Sequence, residues 1–260
     1  MTNLQHKGNL FWVAYQYLAL VCIPGTFFVI CLGWLPFALL LAIILPRRLG
    51  LRWGRHMIQD GFKTYIDVLS LFFCCRFDLS ELDQLQNEGP LIIAANHPSL
   101  LDAVLIVSRL PKAVCVMKAA LMDNIFFGAA TRLAGYIRNF PSLAMILNAR
   151  EALQDGAQLV IFPEGTRTEK FPVDACTAST GLIASRTGIP VQTLLIEYST
   201  PFFGKAWPRF RPPVLPLHCR IRLGRRFVPG RDVGAFTAEL DAYFRAELSK
   251  NLPSTAAIVS

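Results

Sequence analysis

A chain of 260 residues has room for one compact domain with a sizeable core and an appendage of a few tens of residues. Only 17% of its residues are charged, against roughly 25% in ordinary soluble proteins, and 53% are hydrophobic, which argues against a chain wholly surrounded by water. The net charge of +8 suits any polyanion and does not by itself separate nucleic acid from an anionic leaflet.

From Gly8 to Leu45 there is no charged residue, which marks a membrane segment. One helix over that run would be about 57 Å long, well beyond a ~30 Å hydrocarbon core, so a break at Pro24-Gly25 is expected. Leu10 to Ile23 is short for a span, whereas Thr26 to Leu45 is long enough, with Pro36 as a kink; a hairpin or re-entrant pair follows. A cleaved signal peptide competes with this reading. The apolar stretch is too long for one, the leading region carries only Lys7, and no small-residue cleavage site precedes a mature domain.

Arg47, Arg48, Arg52 and Arg55 follow at once, which places the main domain on the cytoplasmic side of the membrane under the positive-inside rule. Trp53, Met57, Ile58, Phe62, Tyr65, Ile66 and Leu69 recur at helical spacing, predicting an amphipathic helix near 52 to 73 that packs on the domain or on the bilayer surface.

After Gly89-Pro90 short β-type runs alternate with helical stretches. The strands are expected at Leu91 to Ala95, Ala113 to Met117, Leu159 to Phe162, Val191 to Glu197 and His218 to Leu223. Helices are expected at Ser99 to Leu110, at Leu143 to Asp155 with Gly156 as its stop, and at Phe236 to Leu248. The alternation predicts an α/β domain on a central, mostly parallel sheet flanked by helices. The chain therefore divides into a membrane-embedded helical segment at 1–50, an amphipathic connecting helix and linker at 51–88, the main domain at 89–252 and a tail at 253–260.

The seven cysteines form no C-x-x-C pair and no paired histidine spacing, so neither a zinc site nor a disulfide framework is indicated, and a reducing setting fits. Cys74, Cys75 and Cys115 lie in apolar stretches, where cysteine is usually inert packing.

Two segments directly follow expected buried strands, where α/β domains place their sites: Asn96-His97-Pro98-Ser99-Leu100-Leu101-Asp102 and Phe162-Pro163-Glu164-Gly165-Thr166-Arg167. On one continuous helix His97 and Asp102 would point about 140° apart, so His97 must precede the helix. Pro98 keeps the chain extended, Ser99 can cap the helix, and Asp102 in the first turn can point back to orient the imidazole. Such a pair can take a proton from a hydroxyl as it attacks a thioester. The competing reading is structural: Ser99-x-x-Asp102 is also a capping-box pattern. The second segment puts a carboxylate, a flexible turn and a guanidinium at one sheet edge, and Arg forks well onto phosphate oxygens.

These two segments resemble the first and third motifs of the glycerol-3-phosphate and lysophosphatidate acyltransferase family. The resemblance covers about Gly89 to Leu195 and implies His97 as general base with Asp102 as its orienting partner. It also implies Glu164, Gly165, Thr166 and Arg167 in the acceptor and phosphate region, with Asn96 and Ser99 among the substrate-binding residues. Gly188-Ile189-Pro190-Val191 is similar to the family's later Pro-containing motif. Lys118 stands where many members carry a phosphate-side lysine, with a solvated strand-end lysine as the competing reading. One departure concerns the second motif: Gly135-Tyr136-Ile137 matches its start, but its Arg position falls near Phe140-Pro141, leaving Arg138 as the nearest cation. The stretch after Arg167 also lacks the family's Gly-Ala pair.

The expected activity is O-acyl transfer from acyl-CoA or an acyl carrier protein to a glycerophosphate-type lipid, 1-acyl-sn-glycerol-3-phosphate first. Another lipid or polyol hydroxyl and a catalytically silent membrane-binding protein are the alternatives. No metal and no organic cofactor is implied, and no nucleic-acid motif accompanies the positive charge. Eight Lys or Arg and no Asp or Glu lie between Thr200 and Arg231; a solvated strand, anionic membrane lipid or an acidic acyl carrier protein would each use them.

Overall fold

A computed structural model describes residues 9–139 and 143–250. The 253–260 tail and the Phe140-Pro141 position of the second motif lie outside these.

The first element is a single helix, α1 (Leu10–Ile44), which runs through Pro24 and Pro36 without the expected break at Pro24-Gly25. Its 35 residues correspond to about 52 Å. Packing overrides the local breaker. The next helix, α2 (Arg47–Phe72), returns antiparallel along α1, and Tyr65 Oη donates to the Ile23 carbonyl at 3.1 Å, beside Pro24. The hairpin turn therefore falls at Leu45-Pro46, where the chain is extended. One stripe of α1 is inside, with Ala19, Ile23 and Ala38 fully buried, while Val21, Val29, Leu40 and Ile43 stand exposed on its other faces. By length and composition α1 is apolar enough to cross a membrane.

The amphipathic stripe of α2 is core packing, against the helices α3 (Asp102–Arg109) and α5 (Gly128–Leu133) of the domain. Met57, Ile58, Tyr65, Ile66 and Leu69 are buried as their spacing predicts, whereas Trp53 is exposed. Gly54 explains how close α2 comes: a Cβ there would lie 2.7 Å from backbone atoms of Leu133 and Ala134.

A seven-stranded sheet forms the centre of the described residues, in the order β1-β7-β6-β2-β5-β3-β4. The strands are β1 (Cys75–Asp78), β2 (Leu91–Ala95), β3 (Ala113–Met117), β4 (Ile137–Arg138), β5 (Gln158–Ile161), β6 (Val191–Tyr198) and β7 (Leu217–Phe227). From β4 to β6 all neighbours are parallel, β7 is antiparallel to β6, and β1 is parallel to β7. The buried runs of β2 and β5 are apolar at every position but Gln158, as strands covered on both faces require. Between the strands lie α3 (Asp102–Arg109), α4 (Ala119–Met122), α5 (Gly128–Leu133), α6 (Leu143–Gln154) and α7 (Ser179–Thr187), and α8 (Val233–Ser249) is the last element among the described residues. The fold class is the expected one.

Two strands were not expected. β1 lies within the 51–88 stretch assigned to a connecting segment, so the sheet begins before Gly89. β4 has only two residues and exists through its pairing with Val116 and Met117.

The basic strand β7 is neutralised by acids from other elements. Arg220 pairs with Asp78 and Glu81, Arg222 with Glu197, Arg225 with Glu239 and Arg226 with Glu88. Each of those four arginines is thus ion-paired within the chain.

Candidate active site

Parallel strands bring their carboxyl ends to one edge, and that edge collects the residues marked in the sequence. Ala94 on β2 stands opposite Ile161 on β5, so three residues further on His97 and Glu164 come level. The His97 N–H donates to Glu164 Oε1 at 2.8 Å. The Thr168 N–H donates to the His97 carbonyl at the same distance. The two motifs are thus fastened to each other through backbone atoms.

His97 Nδ1 lies 2.8 Å from Asp102 Oδ2. The same oxygen accepts the Ser99 N–H at 2.8 Å, and Asp102 Oδ1 accepts the Tyr198 hydroxyl at 2.8 Å. One carboxylate thus receives both the Ser99 amide and the imidazole, in the turn that leads into the helix. The helix starts later than expected, at Asp102, with Leu101 as its N-cap. Burial of Asp102 pushes its carboxyl up from the ordinary range, and the His97, Ser99 and Tyr198 donors pull it back toward the anion.

The imidazole ring stacks on Phe162, centroids 3.9 Å apart and planes 16° off parallel. Its side chain is 16% exposed, and Nε2 has no hydrogen-bond partner among the described residues. An oriented imidazole with a free second nitrogen at the surface is the arrangement that general-base chemistry needs.

Asn96 and Ser99, expected among substrate contacts, are instead scaffold. The Asn96 side chain is buried, donates to the Ile196 carbonyl at 2.9 Å and accepts the Ile196 N–H at 2.8 Å, extending the β2–β6 ladder by one rung. Ser99 Oγ donates to the Phe202 carbonyl at 2.7 Å and is buried too. Glu164 also faces inward. Its carboxylate accepts from His97 N, Thr168 Oγ1 and Asp174 N, and burial raises its pKa. Gly165 takes φ +70, the left-handed conformation that glycine adopts without strain, and Thr166 beside it is half-buried.

Arg167 is half-buried and donates through Nη1 to the Phe203 carbonyl at 2.7 Å. The Asp102 charge acts on it, so the guanidinium lies near the His97–Asp102 pair, and burial lowers its pKa from the usual guanidinium range. Lys118 follows β3 and is exposed at the N-terminus of α4. Arg138 ends β4, exposed, and forks onto Asp123 at 2.5 and 3.1 Å. Across the edge the order is therefore Tyr198, His97, Glu164 to Arg167, Lys118, Arg138. Among the described residues no cluster of three or more His, Cys, Asp or Glu side chains is placed to hold a metal ion.

Tyr198 and the loop carrying Phe202 and Phe203 were not singled out from the sequence, and Phe162 was named only as the first residue of its segment. The rule that sites follow buried strands would have reached Tyr198, the last residue of β6, had it been applied to that strand.

The family model described as Acyltransferase matches residues 76–197. Over those residues, just under half of its length, the chain is similar to the acyltransferase family. The matched segment reaches from β1 into β6 and holds both fastened motifs, so the acyltransferase match and the geometric site coincide. A 1-acyl-sn-glycerol-3-phosphate acyltransferase of Pseudomonas aeruginosa is 28% identical over 182 residues, which are 68% of this chain and 67% of that protein. A lysophosphatidylcholine acyltransferase of Drosophila melanogaster is 30% identical over 143 residues, 50% of this chain but only 25% of its own length. In fold, the chain is similar to the crystal structure of the 1-acyl-sn-glycerophosphate (LPA) acyltransferase PlsC from Thermotoga maritima, with a TM-score of 0.62 and 20% identity over 92% of this chain and 99% of that one.

Proposed function

We propose that the protein is a membrane-associated O-acyltransferase that moves an acyl chain from a thioester to the hydroxyl of a glycerophosphate-type lipid, with 1-acyl-sn-glycerol-3-phosphate as the leading acceptor. The observation that carries this reading is the imidazole of His97, tied at Nδ1 to buried Asp102 and open at Nε2. Nε2 takes the proton of the acceptor hydroxyl while its oxygen attacks the thioester carbonyl. The tetrahedral intermediate then collapses, the C–S bond breaks, and the imidazolium returns the proton to the leaving thiolate. Such a cycle uses neither a covalent enzyme intermediate nor a cofactor. The donor is acyl-CoA or an acyl carrier protein. Arg167, near the pair and with most of its donors unengaged by the Phe203 carbonyl, is the residue suited to an acceptor phosphate.

The bare apolar faces of α1 enter lipid. Because α1 packs on α2 from Tyr15 to Ala38, we place it lying in one face of the bilayer beside the domain rather than standing across it. The Arg47 to Arg55 cluster supports a domain on the cytoplasmic side, although Arg47 also pairs with Glu151 and Arg55 with the Ala134 carbonyl. A second acceptor class, another lipid or polyol hydroxyl, is favoured by one observation: Arg138, the cation nearest the second motif's arginine position, is occupied by Asp123.

The test incubates the purified chain with labelled acyl-CoA or acyl carrier protein and a panel of lysolipids and identifies products by mass. His97→Ala is expected to lose at least ~10²-fold in rate while staying on membranes. Retention of more than about a tenth of the rate would contradict the general base. Arg167→Lys keeps the charge but loses the fork, so KM for a phosphate-bearing acceptor should rise with donor affinity nearly constant; equal losses on phosphorylated and neutral acceptors would remove the phosphate assignment.

A further inference from the structure

We propose that Tyr198 is a positioning residue of the reaction, a third member behind His97 and Asp102 whose phenol holds the Asp102 carboxylate in the one rotation that serves the imidazole. The inference rests on the acyl-transfer reading of the same site.

Asp102 is fully buried, so its two oxygens depend on protein donors. Oδ2 is shared between His97 Nδ1 and the Ser99 amide, and Oδ1 is held by Tyr198 Oη, 2.8 Å away. A carboxylate pinned at both oxygens cannot turn about its Cβ–Cγ bond. With Oδ1 released, only the two donors on Oδ2 resist that rotation, and its line to the imidazole is held less firmly. The phenol comes from β6, a strand separate from the β2–α3 segment that carries His97 and Asp102, so the pair is braced against the sheet itself.

The surroundings keep Tyr198 in its donor form. Burial and the Asp102 charge push the phenol well above its ordinary range, so it stays protonated. Its cross-strand neighbour on β7 is Cys219, whose thiol burial also keeps neutral. The charged groups acting on the cluster are Asp102 itself, His97, Arg167 from the loop after β5, and Glu197, which acts on Cys219. The phenol thus stabilises the anionic carboxylate without adding charge. Its removal leaves the His97–Asp102 pair holding a proton more tightly, because a donor to the charged form has gone.

The experiment compares Tyr198→Phe with site-specific incorporation of 3-fluorotyrosine at position 198, a more acidic phenol and hence a stronger donor. Tyr198→Phe is expected to lower kcat on the order of 10-fold, the worth of one hydrogen bond to a charged group, with KM for donor and acceptor within about twofold. The acidic limb of kcat/KM should move to higher pH in Tyr198→Phe and to lower pH in the fluorotyrosine protein. The titration of the His97 ring resonance in substrate-free protein should move in the same two directions, a readout that survives even if the acyl-transfer reading fails. An unchanged limb and an unchanged resonance beside a lowered melting temperature would overturn the proposal and leave Tyr198 as packing. The fluorotyrosine protein, which keeps the hydroxyl and the ring, decides the matter should the phenylalanine variant not fold.

Discussion

Glu164 accepts from a backbone amide of each of two segments, at His97 and at Asp174, and from the Thr168 hydroxyl. Its place in the motif follows from that: the carboxylate ties the loop after β5 to the residue that carries the imidazole. Glu164→Gln would turn an amide NH₂ toward either the His97 or the Asp174 N–H. The cost expected is about 1–3 kcal/mol of stability, with activity lost alike on every acceptor; an acceptor-selective loss at unchanged stability would show a substrate contact instead. The pH dependence has a definite sign. Burial holds the Glu164 carboxyl above its ordinary value, so the native chain binds this proton more tightly than the unfolded one. That contribution is complete below the ordinary carboxylate pKa and fades as pH rises through the raised one. Melting temperature against pH should therefore fall less steeply across that window in Glu164→Gln than in the unaltered chain.

Elements that could be read locally were those with a strong period. β2, β3 and the stripe of α2 lie where their apolar spacing placed them. β1 and β4 are short, and each is defined by a partner distant in sequence, β7 for one and β3 for the other. The same dependence on a partner explains α1, where a Pro-Gly pair that should break an isolated helix is carried through by packing on α2. Gly54 tests that packing layer. A methyl there would meet the Leu133–Ala134 backbone at 2.7 Å, and backbone cannot swing aside. Gly54→Ala should gain helix propensity yet lose about 1–3 kcal/mol net by forcing α2 from α5. A melting temperature equal to or above that of the unaltered chain would show that the helices separate freely.

Across the whole molecule, α1 has two faces with different tasks. The buried stripe belongs to the core, so removing residues 1–45 would strip Ala19 and Ile23 from it and deprive Tyr65 of its acceptor. A less stable product is expected, in place of the more soluble domain that an uncharged leader alone would suggest. The exposed face can be altered by itself. Val21→Lys, Val29→Lys and Leu40→Lys together, all at exposed positions, should release the protein from vesicles while stability changes by no more than about 0.5 kcal/mol per site. Flotation with liposomes beside a melting curve checks this; continued flotation of the triple variant would place the membrane contact elsewhere.

Composition and spacing alone determined the uncharged leader, the α/β alternation and the two segments at strand ends, because each depends on neighbours within a few residues. His97 and Asp102 were legible for the same reason, being five positions apart with Pro98 and Ser99 between them to shape the turn. Only the tertiary structure decided what the flanking polar residues do. Asn96 and Ser99 find backbone partners about a hundred residues away, Tyr198 reaches Asp102 from another strand, and the arginines of β7 meet five acids from elsewhere in the chain. Whether a polar side chain faces a substrate or satisfies a buried carbonyl is settled by which strands become neighbours, and strand order is a property of the assembled sheet rather than of any local run of residues.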